Sequence, residues 1–131
     1  MKQLLIFLFT CIILLSGSVF AGAQEAVSHK ISAADAKKMM AELGDFVFID
    51  VRPENAYKKA HISGAISIPS SRANDRIQAE FPDRNKVIFL YCETGGRAMA
   101  VARQLIRLGY VNVYNTGSFS SWLKEMKTGA K

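Results

Sequence analysis

Two hydrophobic periods take turns along this chain. The runs Phe46-Val47-Phe48-Ile49-Asp50-Val51 and Val87-Ile88-Phe89-Leu90-Tyr91 are short, continuous and rich in β-branched and aromatic residues, the pattern of strands buried on both faces. Ala65-Ile66-Ser67-Ile68, closed by Pro69, and Val111-Asn112-Val113-Tyr114 predict two shorter strands. Between the strands the spacing is helical. Ser32 caps a helix with Asp35 in its first turn, Met39, Met40 and Leu43 turned inward, and Gly44 as its stop. Pro53 opens a short helical turn through Tyr57, and residues 70–81 form a helix with Ile77 and Phe81 as its apolar positions. Ala98, Val101, Ala102, Leu105 and Leu108 repeat opposite Arg103, Gln104 and Arg107, and Gly117-Ser118 leads into a last helix with Phe119, Trp122, Leu123 and Met126 on its apolar side. This alternation predicts an α/β fold in three layers, a mostly parallel central sheet with helices on both faces. Ligands in such sheets collect at the carboxyl ends of strands.

The first 23 residues break the pattern. Met1-Lys2, the apolar run Leu4 to Leu15, and the small residues Ser16-Gly17-Ser18 and Ala21-Gly22-Ala23 are the three parts of a secretory signal. Cleavage after Ala23 is expected, with a periplasmic or secreted product and no stable membrane insertion afterwards. The alternatives are an uncleaved anchor and a lipid-modified Cys11, the latter disfavoured because Ile12 to Leu15 still follow it in the apolar segment. Residues 24–131 then form a single domain of 108 residues, enough for one core. Its 16 basic and 11 acidic side chains leave about +5. The basic residues are scattered without a dense cluster or interleaved stacking aromatics, so nucleic-acid binding is not expected, and the surplus charge instead concentrates small anions. A monomer is expected.

After cleavage Cys92 is the remaining cysteine, without a disulfide partner or a resolving thiol. One thiol with the well-separated His29 and His61 is too small a set for zinc or an iron–sulfur cluster, and neither metal nor cofactor is expected. The setting of Cys92 points to nucleophilic chemistry. Cys92-Glu93-Thr94-Gly95-Gly96-Arg97 joins an apolar strand to an amphipathic helix, and its two glycines allow successive N–H groups to turn inward at the positive end of the helix dipole. Such a cradle favours an anion: the Cys92 thiolate, a persulfide on it, or an oxyanion above it, with Arg97 adding a permanent charge.

The same loop resembles the C-x-x-G-x-R loop of rhodanese-like sulfurtransferases. Asp50-Val51-Arg52, the segment Ala60-His61-Ile62-Ser63-Gly64-Ala65-Ile66 with Ile68-Pro69, and Gly117 with Trp122 resemble three further family motifs in the same order, so the resemblance spans about residues 29–127. It implies a rhodanese-like fold. It also implies that Cys92 takes a sulfane sulfur from a donor such as thiosulfate or a persulfide, holds it as a persulfide, and passes it to cyanide or a thiol. Glu93, Thr94, Gly95, Gly96 and Arg97 would surround the substrate, and Arg97 serves equally well as a substrate contact or as support for the loop. Asp50 and Arg52 read as an internal hydrogen-bonded pair fixing neighbouring loops rather than as acid and cation. His61 reads as a packing and hydrogen-bonding residue rather than a general base, and Trp122 as core.

Several positions depart from the family pattern: Ala60 replaces a frequent glycine, Ser118 the second glycine of the late motif, and Ala98 a common serine. Glu93 matters more, because an acid within the loop opposes an anionic donor. Two other functions fit parts of the pattern. Cysteine phosphatases and arsenate reductases resemble it with a loop one residue longer, and a carrier or docking module would keep the persulfide without turnover.

Overall fold

The strands and helices read from periodicity assemble around one parallel sheet. The computed structural model describes residues 28–128, so the apolar leader and its expected cleavage point lie outside the described residues. In chain order the elements are β1 (His29–Lys30), α1 (Ala33–Leu43), β2 (Val47–Asp50), α2 (Glu54–Lys59), β3 (Ile66–Ser67), a 3-10 turn (Ser70–Arg72), α3 (Ala73–Glu80), β4 (Ile88–Cys92), α4 (Gly96–Arg107), β5 (Val113–Ser118) and α5 (Phe119–Thr128). The strands lie in the order β1-β5-β4-β2-β3, and every pairing is parallel. Parallel neighbours need crossover connections, and here the crossovers are the helices that cover both faces.

Side chains of successive strand residues divide between these faces. Val47, Ile49, Ile88, Leu90, Cys92 and Val113 pack with Ala73 and Ile77 of α3 and Ala98, Val101, Ala102 and Leu105 of α4. Phe48, Phe89 and Tyr91 pack on the opposite face with Ala33 and Ala36 of α1 and Trp122 of α5. β4 lies between β5 and β2 and is buried along its whole length, which explains its unbroken apolar run.

Some boundaries differ from those the pattern predicts. The expected helix over 70–81 is split, because Pro69 leads into the 3-10 turn and Arg72, with φ −116° and ψ 0°, separates that turn from α3. α1 buries Ala33 and Ala36 against the sheet, with Met39 and Met40 half-buried, whereas Leu43 is 44% exposed in the last turn before Gly44 reverses the chain at φ 69°. Leu123 and Met126 also face outward, since Trp122 is the residue of α5 that reaches the core. β5 starts later and runs further than expected, leaving Val111 exposed and taking in Gly117 and Ser118. β1 is too short to leave a periodic signal and is held by pairing to Tyr114 and Asn115 and by stacking of His29 on Tyr114. Cys92 is the last strand residue and Gly96 the first of α4, so the expected six-residue loop contracts to Glu93, Thr94 and Gly95.

Candidate active site

β4 carries Cys92 to the carboxyl edge of the sheet, where the register with β5 slips. Leu90 pairs with Asn115, but Cys92 pairs with Ser118, so the edge of β5 bulges around the end of β4. Asn115, buried in that bulge, uses both ends of its amide: Nδ2 donates to the Gly95 carbonyl at 3.2 Å, and Oδ1 accepts from the Gly117 N–H at 3.0 Å. Gly95 is thereby fixed at φ 94°, a left-handed angle that favours glycine. An added Cβ would sit 3.5 Å from Gly117 Cα, an ordinary contact, so backbone angle rather than crowding selects glycine there.

The fixed loop aims two amides at the sulfur. The Gly95 N–H donates to Cys92 Sγ at 2.9 Å and the Ala98 N–H at 3.5 Å, both at the N-terminus of α4. Cys92 is 1% exposed. Two N–H donors and the positive end of a helix thus converge on Sγ, a setting that complements negative charge arriving or developing there.

A second network braces the neighbouring loop. Asp50, fully buried at the end of β2, accepts from the Arg52 backbone N–H at 2.9 Å, from Arg52 Nε at 3.0 and 3.1 Å, from Nη2 at 2.8 Å, and from the Tyr91 hydroxyl at 2.7 Å. Arg52 also donates to the Ala60 carbonyl at 2.6 Å and lies 4.0 Å over the Phe119 ring. Burial works against the Arg52 charge, but the hydrogen bonds and charge of Asp50 outweigh it and raise its pKa above the ordinary value. The Tyr91 phenol is raised well above its usual range, chiefly by burial and further by its bond to Asp50, so it donates as a neutral group. Its oxygen accepts from the Ile62 N–H at 3.1 Å, tying the segment after His61 to β4.

Among the residues singled out from sequence, Cys92 and Gly95 meet directly, and Asp50 pairs with Arg52. Glu93 points outward with its side chain 67% exposed and lies 3.5 Å from Arg52 Nη1, a marginal contact. Thr94 and Gly96 are exposed beside it. Arg97 is exposed in the first turn of α4 and, among the described residues, makes no hydrogen bond that would brace the loop. It lines a groove of about 670 Å³ together with Arg72 and Arg76. His61 stands apart from the cradle, stacked on Tyr57 at 3.8 Å with Nδ1 3.0 Å from the Tyr57 carbonyl oxygen. Trp122 is buried and donates through Nε1 to Thr116 Oγ1 at 2.8 Å.

Four contributors escaped sequence reasoning: Tyr91, Asn115, Thr116 and Phe119. Asn115-Thr116 offered one signal, a polar pair directly after a strand of alternating pattern, but nothing in it distinguishes a buried clamp from a turn. No group of three or more potential metal ligands occurs among the described residues.

Comparison with known proteins places this geometry in context. The rhodanese-like domain matches residues 32–125. The thiosulfate sulfurtransferase PspE of Escherichia coli is 36% identical over 70 residues, covering 53% of this chain and 67% of that protein. The thiosulfate sulfurtransferase GlpE of Coxiella burnetii is 30% identical over 79 residues, covering 60% and 72%. A solved Escherichia coli rhodanese with anions aligns at 33% identity and a TM-score of 0.52, covering 57% of this chain and 88% of that one. The human single-domain sulfurtransferase TSTD1 shares the fold, with a TM-score of 0.64 at 21% identity over 76% of this chain and 98% of its own.

Proposed function

The chain belongs to the rhodanese-like domain family, and from that premise we propose that it is a rhodanese-type sulfurtransferase in which Cys92 is the sulfur-carrying nucleophile. The observation that carries this reading is the pair of backbone amides donated to Sγ at 2.9 and 3.5 Å. In the first half-reaction the Cys92 thiolate attacks the outer sulfur of thiosulfate, the S–S bond breaks, and sulfite leaves with the bonding pair. The enzyme is left with a Cys92 persulfide. In the second, cyanide attacks the outer persulfide sulfur, thiocyanate departs, and the electron pair returns to Sγ. A thiol acceptor reacts in the same way. Neither half-reaction needs a side chain to remove a proton from the nucleophile, which agrees with the absence of an acid or base against Sγ among the described residues. The cradle amides stabilise the thiolate before attack and the same negative charge when the sulfur is handed on.

Gly95 and Arg97 are the loop residues assigned to the incoming anion, and Asp50 and Arg52 hold the wall of the site in place. The leader pattern supports export to the periplasm or beyond, and the chain acts as a monomer. Cys92→Ser should retain the fold and lose thiosulfate-to-thiocyanate conversion entirely, while intact mass spectrometry of wild-type protein treated with thiosulfate should show one added sulfur that cyanide removes. Appreciable turnover by the serine variant would refute the assignment. A sulfur adduct that forms once but never turns over would instead identify a carrier module. The same spectrum of protein from the periplasmic fraction reads whether residues 1–23 have been removed.

A further inference from the structure

The groove of about 670 Å³ that Arg97 lines is separate from the sulfur cradle, because its walls include neither Cys92 nor any loop residue before Arg97. Its chemistry is its own. The 3-10 turn packs against α4 and brings Arg72 to the same groove as Arg97, and both are exposed without an ion pair or side-chain hydrogen bond among the described residues. Arg76 completes a set of three guanidiniums, held by Glu80 Oε1 at 2.8 Å and the Ser67 carbonyl at 3.1 Å. Glu54, the carboxylate on the wall, is engaged by Lys58 at 3.2 Å and leaves the two free arginines uncompensated. The hydroxyls on the wall add further donors. Ser67 Oγ is buried with no partner among the described residues, and Ser70 and Ser71 supply two more. A buried hydroxyl without a partner is unfavourable, and an acceptor entering the groove satisfies it.

From these observations we propose that the groove is a binding site for a chain of linked phosphates, a free oligophosphate or the triphosphate of a nucleotide, held by Arg72, Arg97 and the Ser67 hydroxyl. The free polar groups of the wall are donors and the surplus charge is positive, so the fitting ligand accepts hydrogen bonds at many points and carries several negative charges along its length. Linked phosphates do both. A planar guanidinium grips two phosphate oxygens through parallel hydrogen bonds, and two such groups on packed elements hold neighbouring phosphates where a single small anion meets one. The volume agrees, since about 670 Å³ lies in the range of sites for drug-sized ligands and exceeds what thiosulfate or cyanide fills. Binding there involves no step at Cys92.

Calorimetric titration of the purified protein with sodium tripolyphosphate, free of divalent metal, tests the site. One equivalent should bind with a Kd on the order of 10–100 μM at low ionic strength, weakening with added salt, and inorganic phosphate should bind at least about tenfold more weakly. Arg72→Gln should weaken tripolyphosphate binding about tenfold and Ser67→Ala about threefold, with Arg72→Lys between wild type and the glutamine variant. Ser67→Ala removes a hydroxyl without a partner among the described residues, so its Tm should match wild type. Arg103→Gln controls for net charge: Arg103 is exposed on α4 outside the groove, and its loss should change the Kd by less than about twofold. ATP in place of tripolyphosphate separates the two sources. Affinity no greater than that of tripolyphosphate assigns the site to the phosphate chain alone, and tighter binding assigns it to a nucleotide. Absence of saturable binding, equal affinity for inorganic phosphate, wild-type affinity in Arg72→Gln or Ser67→Ala, or equal losses in Arg103→Gln and Arg72→Gln would overturn the proposal. Cys92→Ser should bind tripolyphosphate as wild type does, and a loss of binding there would move the ligand to the cradle and defeat the separate site.

Discussion

Asn115 should govern both the stability of the domain and the reactivity of Cys92, although it touches neither the sulfur nor the solvent. Asn115→Ala removes the acceptor of the Gly117 N–H and the donor to the Gly95 carbonyl, two part-buried backbone groups. The Gly95 carbonyl retains the Met99 N–H at 3.0 Å, so the larger loss falls on Gly117. Because water reaches part-buried groups, the two losses together cost about 1–2 kcal/mol, toward the low end for an unsatisfied group. For a domain of this size that lowers Tm by about 5–10 °C, measurable by calorimetry or circular dichroism. The kinetic consequence follows from Gly95, whose N–H makes the 2.9 Å bond to Sγ. A loop free to rotate at Gly95 no longer holds that donor in place, and losing a preorganised donor to a reacting anion costs about tenfold to a hundredfold in kcat. Asn115→Asp refines the test. It keeps the acceptor for Gly117, loses the donor to Gly95, and sets a carboxylate against the Gly95 carbonyl, so kcat should fall at least as far as in the alanine variant. Persulfide formation is followed by single-turnover sulfite release at a temperature where both variants are folded. If the alanine variant loses the expected stability while its single-turnover rate stays within twofold of wild type, Asn115 does not position the cradle.

Two further perturbations read the surroundings of the site. Glu93→Gln should lower the KM for thiosulfate by about two- to threefold, an effect that fades at high salt because the carboxylate is 67% exposed and partly offset by Arg52; no change at low salt would mean that the charge is not felt by the donor. Tyr91→Phe deletes the hydroxyl that serves Asp50 and the Ile62 N–H and should destabilise the domain by about 2–4 kcal/mol in denaturant titrations at neutral pH, with Cys92→Ser-like loss of activity not expected. The phenol has a folded pKa raised above its unfolded value, so its stabilising contribution is fully present below about pH 10 and is lost as pH rises through the folded value. Wild-type stability should therefore fall more steeply than that of Tyr91→Phe as pH is taken above about 10; parallel declines would contradict the assigned hydrogen bonds.

The fold was legible wherever a segment was buried on one consistent side. β2 and β4 announce themselves because a strand in the middle of a parallel sheet is apolar at every position, and α4 because one of its sides is aliphatic and the other is charged. Legibility failed where tertiary contact rather than pattern decides. α1 is held by Ala33 and Ala36, whose small side chains let the helix approach the sheet closely, so its larger apolar residues Met39, Met40 and Leu43 predicted a deeper burial than they have. β1 is two residues long and exists through its pairing to β5. The limits of β5 depend on the bulge opposite Cys92, a long-range event that no local window contains.

The site divides along the same line, and the division explains which residues a sequence can nominate. Cys92, the glycines and Arg97 sit together in the chain because a strand-loop-helix junction brings its own donors to its own nucleophile, so local order contains the cradle. The residues that hold the cradle in shape come from elsewhere: Asn115 reaches Gly95 across 20 positions, and Tyr91 reaches Asp50 across 41. Each is polar and buried, and each is satisfied by backbone or carboxylate partners that become visible once the strands are placed side by side. Arg97 shows the converse. Its place in the motif is unmistakable, yet the groove it lines is shared with Arg72, a residue 25 positions earlier that carries no motif at all. What a sequence can nominate therefore lies in the contiguous loop, while the bonds that hold its shape and the wall beside it come from residues that meet only once the fold is formed.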